Sequence, residues 1–211
     1  MRYRSVFRAV CVALIFIMTA GSSCDSVTRT SVDRSAQIAI PNVDGAKSDD
    51  TNSIYQLSSA WRDQTSHGLQ LSELAGRVRI FAMVYTNCHT TCPLIIADLK
   101  RIEAAIPANR RDEVGFVLVS LDVPRDTPAA LAQWAASIGL DTKHWTLLAG
   151  SSDAVRELAA TFDVRYERQQ NGEVAHSNGI TVLDTRGSVV FQQPGPGSTA
   201  ATLLAINSLL N

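Results

Sequence analysis

RVRIFAMVYTNCHTTCPLIIADLKRIEAAIP, from Arg77 to Pro107, is the stretch on which the reading of the fold turns. Arg77 to Tyr85 is a short apolar run that closes on a polar turn, the pattern of a strand buried on both faces. After the turn, Ile95, Leu99, Ile102 and Ile106 recur at spacings of three and four, which lays one apolar stripe along a helix. Pro93 suits the first turn of that helix, where a missing N–H is no loss. A buried strand therefore runs into an amphipathic helix through a turn that carries Cys88 and Cys92.

Downstream the pattern repeats. Gly115 to Leu121 (GFVLVSL) is a second buried-strand run, and Thr127-Pro128 opens a helix through about Ile138 with Asp126 or Thr127 as its N-cap. Ser151 or Ser152 caps another helix, carried by Val155, Leu158, Ala159 and Phe162. Ile180 to Leu183 and Val189 to Phe191 flank Asp184-Thr185-Arg186-Gly187, which reads as a hairpin, and a last amphipathic segment runs from about Thr199 to Leu210. Strands alternating with helices predict an α/β fold with a largely parallel sheet covered on both faces, and the closing hairpin makes the sheet mixed. A thioredoxin-like sandwich fits that order, as do other α/β layouts.

Upstream, Arg2, Arg4 and Arg8 precede an apolar run from Ala9 to Ala20 that ends in Gly21-Ser22-Ser23-Cys24. This is the charged, apolar, small-residue order of a secretory signal, and a dozen residues fall short of the roughly 20 a transmembrane helix needs. The stretch resembles a bacterial lipoprotein signal, in which cleavage leaves a lipid-carrying cysteine, here Cys24, at the new N-terminus. Gly21 stands where such signals usually place Leu. Plain cleavage and an uncleaved anchor are the alternatives, and each of the three readings exports the domain. Cys11, inside the apolar run, reads as a small hydrophobe. From Asp25 to about Ser53 the chain is rich in Ser, Thr, Asp and Asn, with no sustained period, and reads as a flexible tether. The expected organisation is thus an export segment over 1–24, a tether over 25–53 and one domain over 54–211, with the domain on the periplasmic face of the bacterial inner membrane, tethered through the N-terminal anchor.

The 211 residues carry a net charge of −1, which leaves no basic footprint and excludes nucleic acid as a natural partner. Four cysteines are too few for a disulfide scaffold of this size. A domain of about 150 residues buries about 68–70% of its extended-chain surface and needs no metal or disulfide to fold. The cysteines matter by position. Cys88 and Cys92 lie where a strand gives way to a helix, at the carboxyl end of the strand, where reactive groups collect in α/β sheets. The helix start favours thiolate over thiol. Three intervening residues bring two sulfurs within reach of one metal ion or of a small disulfide, and two soft thiolates select Cu(I) or zinc over hard cations. Of the methionines, Met1 and Met18 fall in the export segment and Met83 on a buried strand, so a methionine copper site is not expected.

YTNCHTTCPL (Tyr85 to Leu94) resembles the cysteine motif of the SCO/SenC family, thioredoxin-like proteins that serve cytochrome c oxidase assembly. SLDVPRDTP (Ser120 to Pro128) resembles that family's second motif, and HSNGITVLDTRG (His176 to Gly187) the segment with its copper-binding histidine. The resemblance runs from about Leu57 to Leu210, with the motifs in order. It implies a thioredoxin-like sandwich and Cys88, Cys92 and His176 as ligands for copper, as Cu(I) with Cu(II) the alternative state. It also implies a cytochrome c oxidase copper-centre subunit, or another copper chaperone, as partner. His176 precedes a predicted strand and is placed in a loop at a sheet edge. No proline lies between Arg165 and Gln193, so that loop departs from an ordinary thioredoxin site. Two thiolates and an imidazole make a three-coordinate set suited to Cu(I), whereas zinc more often takes a fourth ligand. His89 reads as a solvent-facing turn residue, and His67 and His144 as surface. Asp122, ending a predicted strand, orients a ligand or serves the turn with Pro124, Asp126 and Thr127.

The functional expectation is a copper metallochaperone. The alternative, a thiol–disulfide oxidoreductase acting on cysteines of an exported partner, uses Cys88 and Cys92 as its reactive pair and does not require His176. Peroxidase chemistry fits poorly, because peroxiredoxins place a threonine three residues before the reactive cysteine, and here Tyr85 precedes Cys88 and His89 precedes Cys92.

Overall fold

In the computed structural model, residues 52–177 and 179–211 are described; Cys11, Cys24 and nearly all of the export segment and tether lie outside the described residues. The centre is built from two strands, β3 (Val78–Val84) and β4 (Val114–Ser120), each buried at every position. A strand can be apolar throughout only when both faces are covered. The helix α1 (Cys92–Ala105) connects them, and they pair in parallel from Val78↔Val114 to Val84↔Ser120. Ile95, Leu99, Ile102 and Ile106, the stripe read from the sequence, are all buried. Glu103 of α1 accepts a hydrogen bond from Trp145 Nε1 at 2.9 Å, and Trp145 stacks on Phe116, which places these aromatics on the α1 face. On the other face Phe81 meets Phe162 edge-on, with centroids 5.4 Å apart.

The helix α2 (Pro128–Ser137) is capped by Thr127, whose hydroxyl accepts the Ala130 N–H. Ser151 does the same for α3 (Ser152–Thr161) through the Ala154 N–H. A side-chain oxygen there satisfies one of the helix's otherwise unpaired donors. β8 (Gly179–Leu183) and β9 (Val189–Pro194) form the expected hairpin, which leads into α4 (Ala200–Leu210).

Three pieces of structure were not anticipated. β5 (Trp145–Gly150) separates α2 from α3, so those helices are not consecutive. Its sequence WTLLAG shows no alternation, and its strand state is set by pairing with β4 on one side and with Trp61–Asp63 on the other. β1 (Ala60–Asp63) and β2 (Gly68–Gln70) form a short hairpin at the sheet's margin. The ribbon of β6 (Tyr166–Arg168) and β7 (Val174–His176) forms a second, two-stranded sheet. Among the described residues the main sheet is seven-stranded, in the order β2-β1-β5-β4-β3-β8-β9, with β3, β4 and β5 parallel and the other pairings antiparallel. It is therefore a mixed sheet flanked by helices, as expected, but it is not largely parallel: only β3–β4 and β4–β5 pair in parallel, because the unanticipated β1–β2 hairpin adds antiparallel pairings on one side as the β8–β9 hairpin does on the other. No described helix is long and apolar enough to cross a membrane.

Candidate metal centre

The chain leaves β3, turns through Thr86–Thr91 and enters α1 at Cys92 with Pro93 in the first turn. Thr91, the residue before the helix, makes no side-chain cap. The sulfur of Cys88 takes that place and accepts the Cys92 N–H at 3.3 Å. Thr90 Oγ1 lies 4.0 Å from the same sulfur.

The turn is held from below by the stretch SLDVPRDTP. Asp126, almost fully buried, accepts the Thr86 hydroxyl at 2.5 Å, the Thr86 N–H at 3.0 Å and the Ser120 hydroxyl at 2.5 Å. Asp122 is buried completely and serves a different half of the site: its carboxylate accepts Arg125 Nε and, at 2.5 Å, Arg168 Nη2 of β6. Its carbonyl also accepts the Arg125 and Asp126 N–H groups, which closes the turn. The contact with the cysteine turn thus belongs to Asp126, while Asp122 closes its own loop, one of the two roles the sequence leaves open to it. A buried carboxylate without a cationic partner needs several donors, and Ser120 and Thr86 supply them.

His176 is brought in by the ribbon. It ends β7, opposite Tyr166, and lies neither in a loop nor at the edge of the main sheet, whose outer strand on this side is β9. Its Nδ1 lies 3.3 Å from the Ser177 carbonyl oxygen. A carbonyl only accepts, so Nδ1 carries a proton and Nε2 of the neutral ring presents its lone pair. That Nε2 stands 3.8 Å from Cys92 Sγ. Tyr85 packs edge-on against the imidazole, centroids 5.9 Å apart.

The protonation states diverge. Burial raises the Cys88 thiol, but the hydrogen bonds it accepts from the Cys92 side chain and from the Cys92, Thr90 and Thr91 N–H groups outweigh it, and the net shift is downward. Cys92, buried deeper and beside the Cys88 sulfur, is pushed strongly upward. Burial lowers His176, against the opposing pull of the Ser177 carbonyl, which keeps the ring neutral at neutral pH.

Cys88 Sγ, Cys92 Sγ and an imidazole nitrogen of His176 lie within 4.8 Å of one another. At bond lengths of about 2.3 Å to sulfur and about 2.0 Å to nitrogen, one ion can touch both atoms of the 3.8 Å pair. Two thiolates and a neutral imidazole are a soft donor set that suits Cu(I) or zinc. The other histidines stay out of this cluster. His89 is exposed on the turn, and His67 is exposed in the β1–β2 hairpin. His144, expected at the surface, is mostly buried between Asp112 at 3.2 Å and Asp141 at 3.4 Å. Asp141 lies only three residues before it, but Asp112 comes from 32 residues away, which no local pattern foretells.

Fold and cluster together define a class: a thioredoxin-like domain that carries a Cys-Cys-His group at the junction of its central strand and first helix. The profile of the SCO1/SenC family matches residues 46–211. The chain belongs to that family. A SCO1 protein homolog of Bacillus subtilis is 26% identical over 142 residues, covering 66% of this chain and 73% of that protein. A SCO1/SenC family lipoprotein of Bacillus anthracis has the same fold, with a TM-score of 0.67, 23% identity and coverage of 75% of this chain and 96% of that one. ScoI of Bradyrhizobium japonicum, solved with copper bound, superposes with a TM-score of 0.58 at 23% identity, covering 69% of this chain and 95% of the other.

Proposed function

We propose that this protein is a copper metallochaperone that carries Cu(I) on Cys88, Cys92 and His176 and delivers it to the dinuclear copper centre of cytochrome c oxidase. The observation that carries the reading is the convergence of two sulfurs and one imidazole nitrogen from segments 84 residues apart. Membership of the SCO1/SenC family and the copper-bound Bradyrhizobium relative support copper as the cargo.

The residues divide the work. Cys88, held toward thiolate by α1's first N–H groups, is the entry ligand for an arriving soft cation. Cys92 gives up its proton as the metal takes its place, since a ligating thiol must be deprotonated. His176 closes the set with a neutral ring that needs no proton loss. Three ligands leave a position from which a partner's own ligand starts the exchange. Leu94, a large apolar side chain 54% exposed two residues beyond Cys92, offers that partner a contact. The partner is the oxidase copper-centre subunit or another copper chaperone. Cys24 carries the lipid that holds the domain at the periplasmic face of the inner membrane, a proposal that the sequence signal and the lipoprotein relative of Bacillus anthracis support.

A second reading rests on the asymmetry of the cysteine pair. A thiol–disulfide reductase needs one sulfur as thiolate and a resolving thiol behind it, and Cys88 and Cys92 differ in that sense. Cys88 would attack a partner's disulfide to form a mixed disulfide. Cys92 would then resolve it, releasing the partner's two thiols and leaving a Cys88–Cys92 disulfide.

An anaerobic Cu(I) competition titration separates the two. One tight Cu(I) per chain, weakened by each of Cys88→Ser, Cys92→Ser and His176→Ala, establishes the three-ligand carrier. Weak binding indifferent to His176→Ala, with intact reduction of a disulfide substrate, transfers the function to the reductase.

A further inference from the structure

The ribbon that holds His176 is not a strand of the main sheet. Among the described residues β6 and β7 pair only with each other, joined through a turn at Asn171-Gly172. Besides its short link into β8, side-chain contacts hold the ribbon over the cysteines, and two of these converge on one buried carboxylate. Arg168, two residues beyond the position opposite His176, reaches down from β6 and donates Nη2 to Asp122 Oδ1 at 2.5 Å. Arg125 donates Nε to the other oxygen of Asp122, and its Nη2 to the carbonyl oxygen of Gly172 at the ribbon's tip. Gly172 has φ +82°, and a Cβ there would stand 3.3 Å from Arg125 Nη1, so the tip is shaped to receive the guanidinium.

We propose that Asp122, Arg125 and Arg168 form a latch that positions His176 over the cysteine pair, gripping the ribbon at the end of β6 and at its tip. The inference rests on the copper-carrier reading for its consequence, though the latch itself is a property of the apo protein. Asp122 is 0% exposed while both arginines are about half-exposed. An exposed ion pair contributes little, whereas one whose carboxylate is buried is strongly coupled to its partners. Asp126, four residues on, grips the cysteine turn through Thr86, so the single loop between β4 and α2 sets both halves of the centre. Arg125 and Arg168 are positioning residues that act through His176.

The test uses the full chain and a double-substitution cycle on Cu(I) affinity: wild type, Arg168→Ala, His176→Ala and the pair. Outer partners of metal ligands typically change affinity about 10–100-fold. Arg168→Ala is expected to weaken Cu(I) by about tenfold and Arg168→Lys to restore part of that, since a lysine keeps one donor to Asp122. In the His176→Ala background Arg168→Ala is expected to change nothing. A tenfold loss that persists without His176 overturns the positioning role. Amide hydrogen exchange on the reduced, metal-free chain reads the latch without copper. Arg168→Ala should speed exchange at Val174–His176 and leave α1 unchanged, and unchanged exchange in the ribbon overturns the latch. Weak Cu(I) binding by wild type overturns the carrier reading alone, and the exchange result then still decides whether Asp122 holds the ribbon.

Discussion

Cys88 and Cys92 are the same residue four positions apart, yet their surroundings drive them in opposite directions. Cys88 sits on the donors of a helix start, and Cys92 lies inside the core with a second sulfur beside it. Alkylation follows thiolate population. In the reduced metal-free protein, iodoacetamide should therefore modify Cys88 first, its rate levelling at a pH below that of an ordinary thiol, while Cys92 stays unmodified well past that point. Peptide mass spectrometry across a pH series checks the order, and equal modification of the two would contradict it. Asp126 supports the same turn from beneath. Asp126→Ala strands the Thr86 and Ser120 donors in a buried site, and with hydrogen bonds to a charged group at about 1.5–3 kcal/mol each, a loss of about 3 kcal/mol in urea unfolding is expected. The motif around Asp126 was visible as a capping sequence; which atoms it caps was not, because Thr86 lies 40 residues earlier in the chain.

At the scale of elements, α1 and the central strands were legible because their signals are local. The stripe Ile95, Leu99, Ile102 and Ile106 could bury only as a helix face, and Pro93 suited its first turn. Leu99→Ala should destabilise by about 2–5 kcal/mol, measured by urea denaturation, since Leu99 is 0% exposed and the neighbouring strands cannot collapse into the space. The β8–β9 turn was legible for the same reason. Asp184 Oδ1 accepts the Arg186 and Ser188 N–H groups, and Gly187 takes φ +85°. A Cβ at Gly187 would stand 2.6 Å from Tyr55 Cδ2 and 2.7 Å from Ser53 Oγ, so Gly187→Ala should cost about 1–3 kcal/mol in the same assay. β5 and the ribbon were not legible. WTLLAG becomes a strand because β4 and β1 flank it, and YER and VAH are each too short to show a period.

For the whole molecule, the described chain is fastened at its beginning. Ile54 is 0% exposed, its N–H donates to Gly187 at 3.1 Å, and Ser53 Oγ donates to the Arg186 carbonyl at 2.5 Å. A fragment starting at Asn52 should keep full stability and Cu(I) affinity. One starting at Ser58 should lose about 1.5–3 kcal/mol, the burial of one isoleucine, in thermal or urea unfolding. Equal stability of the two fragments would show that the first turn is dispensable.

The sequence by itself determined the α/β class, the buried central strands, the stripe and caps of the helices, and the soft chemistry of Cys88 and Cys92 at a helix start. Those properties rest on spacing, side-chain type and turn chemistry over a few residues, which a linear chain displays openly. Only the tertiary structure decided that His176 rides on a separate ribbon, that its Nε2 faces Cys92 across 84 residues of sequence, and that Asp122 and Asp126 take opposite halves of the site. Contacts of that range depend on how the sheet brings strand ends together, and burial then sets which thiol holds its proton. No local pattern carries that information.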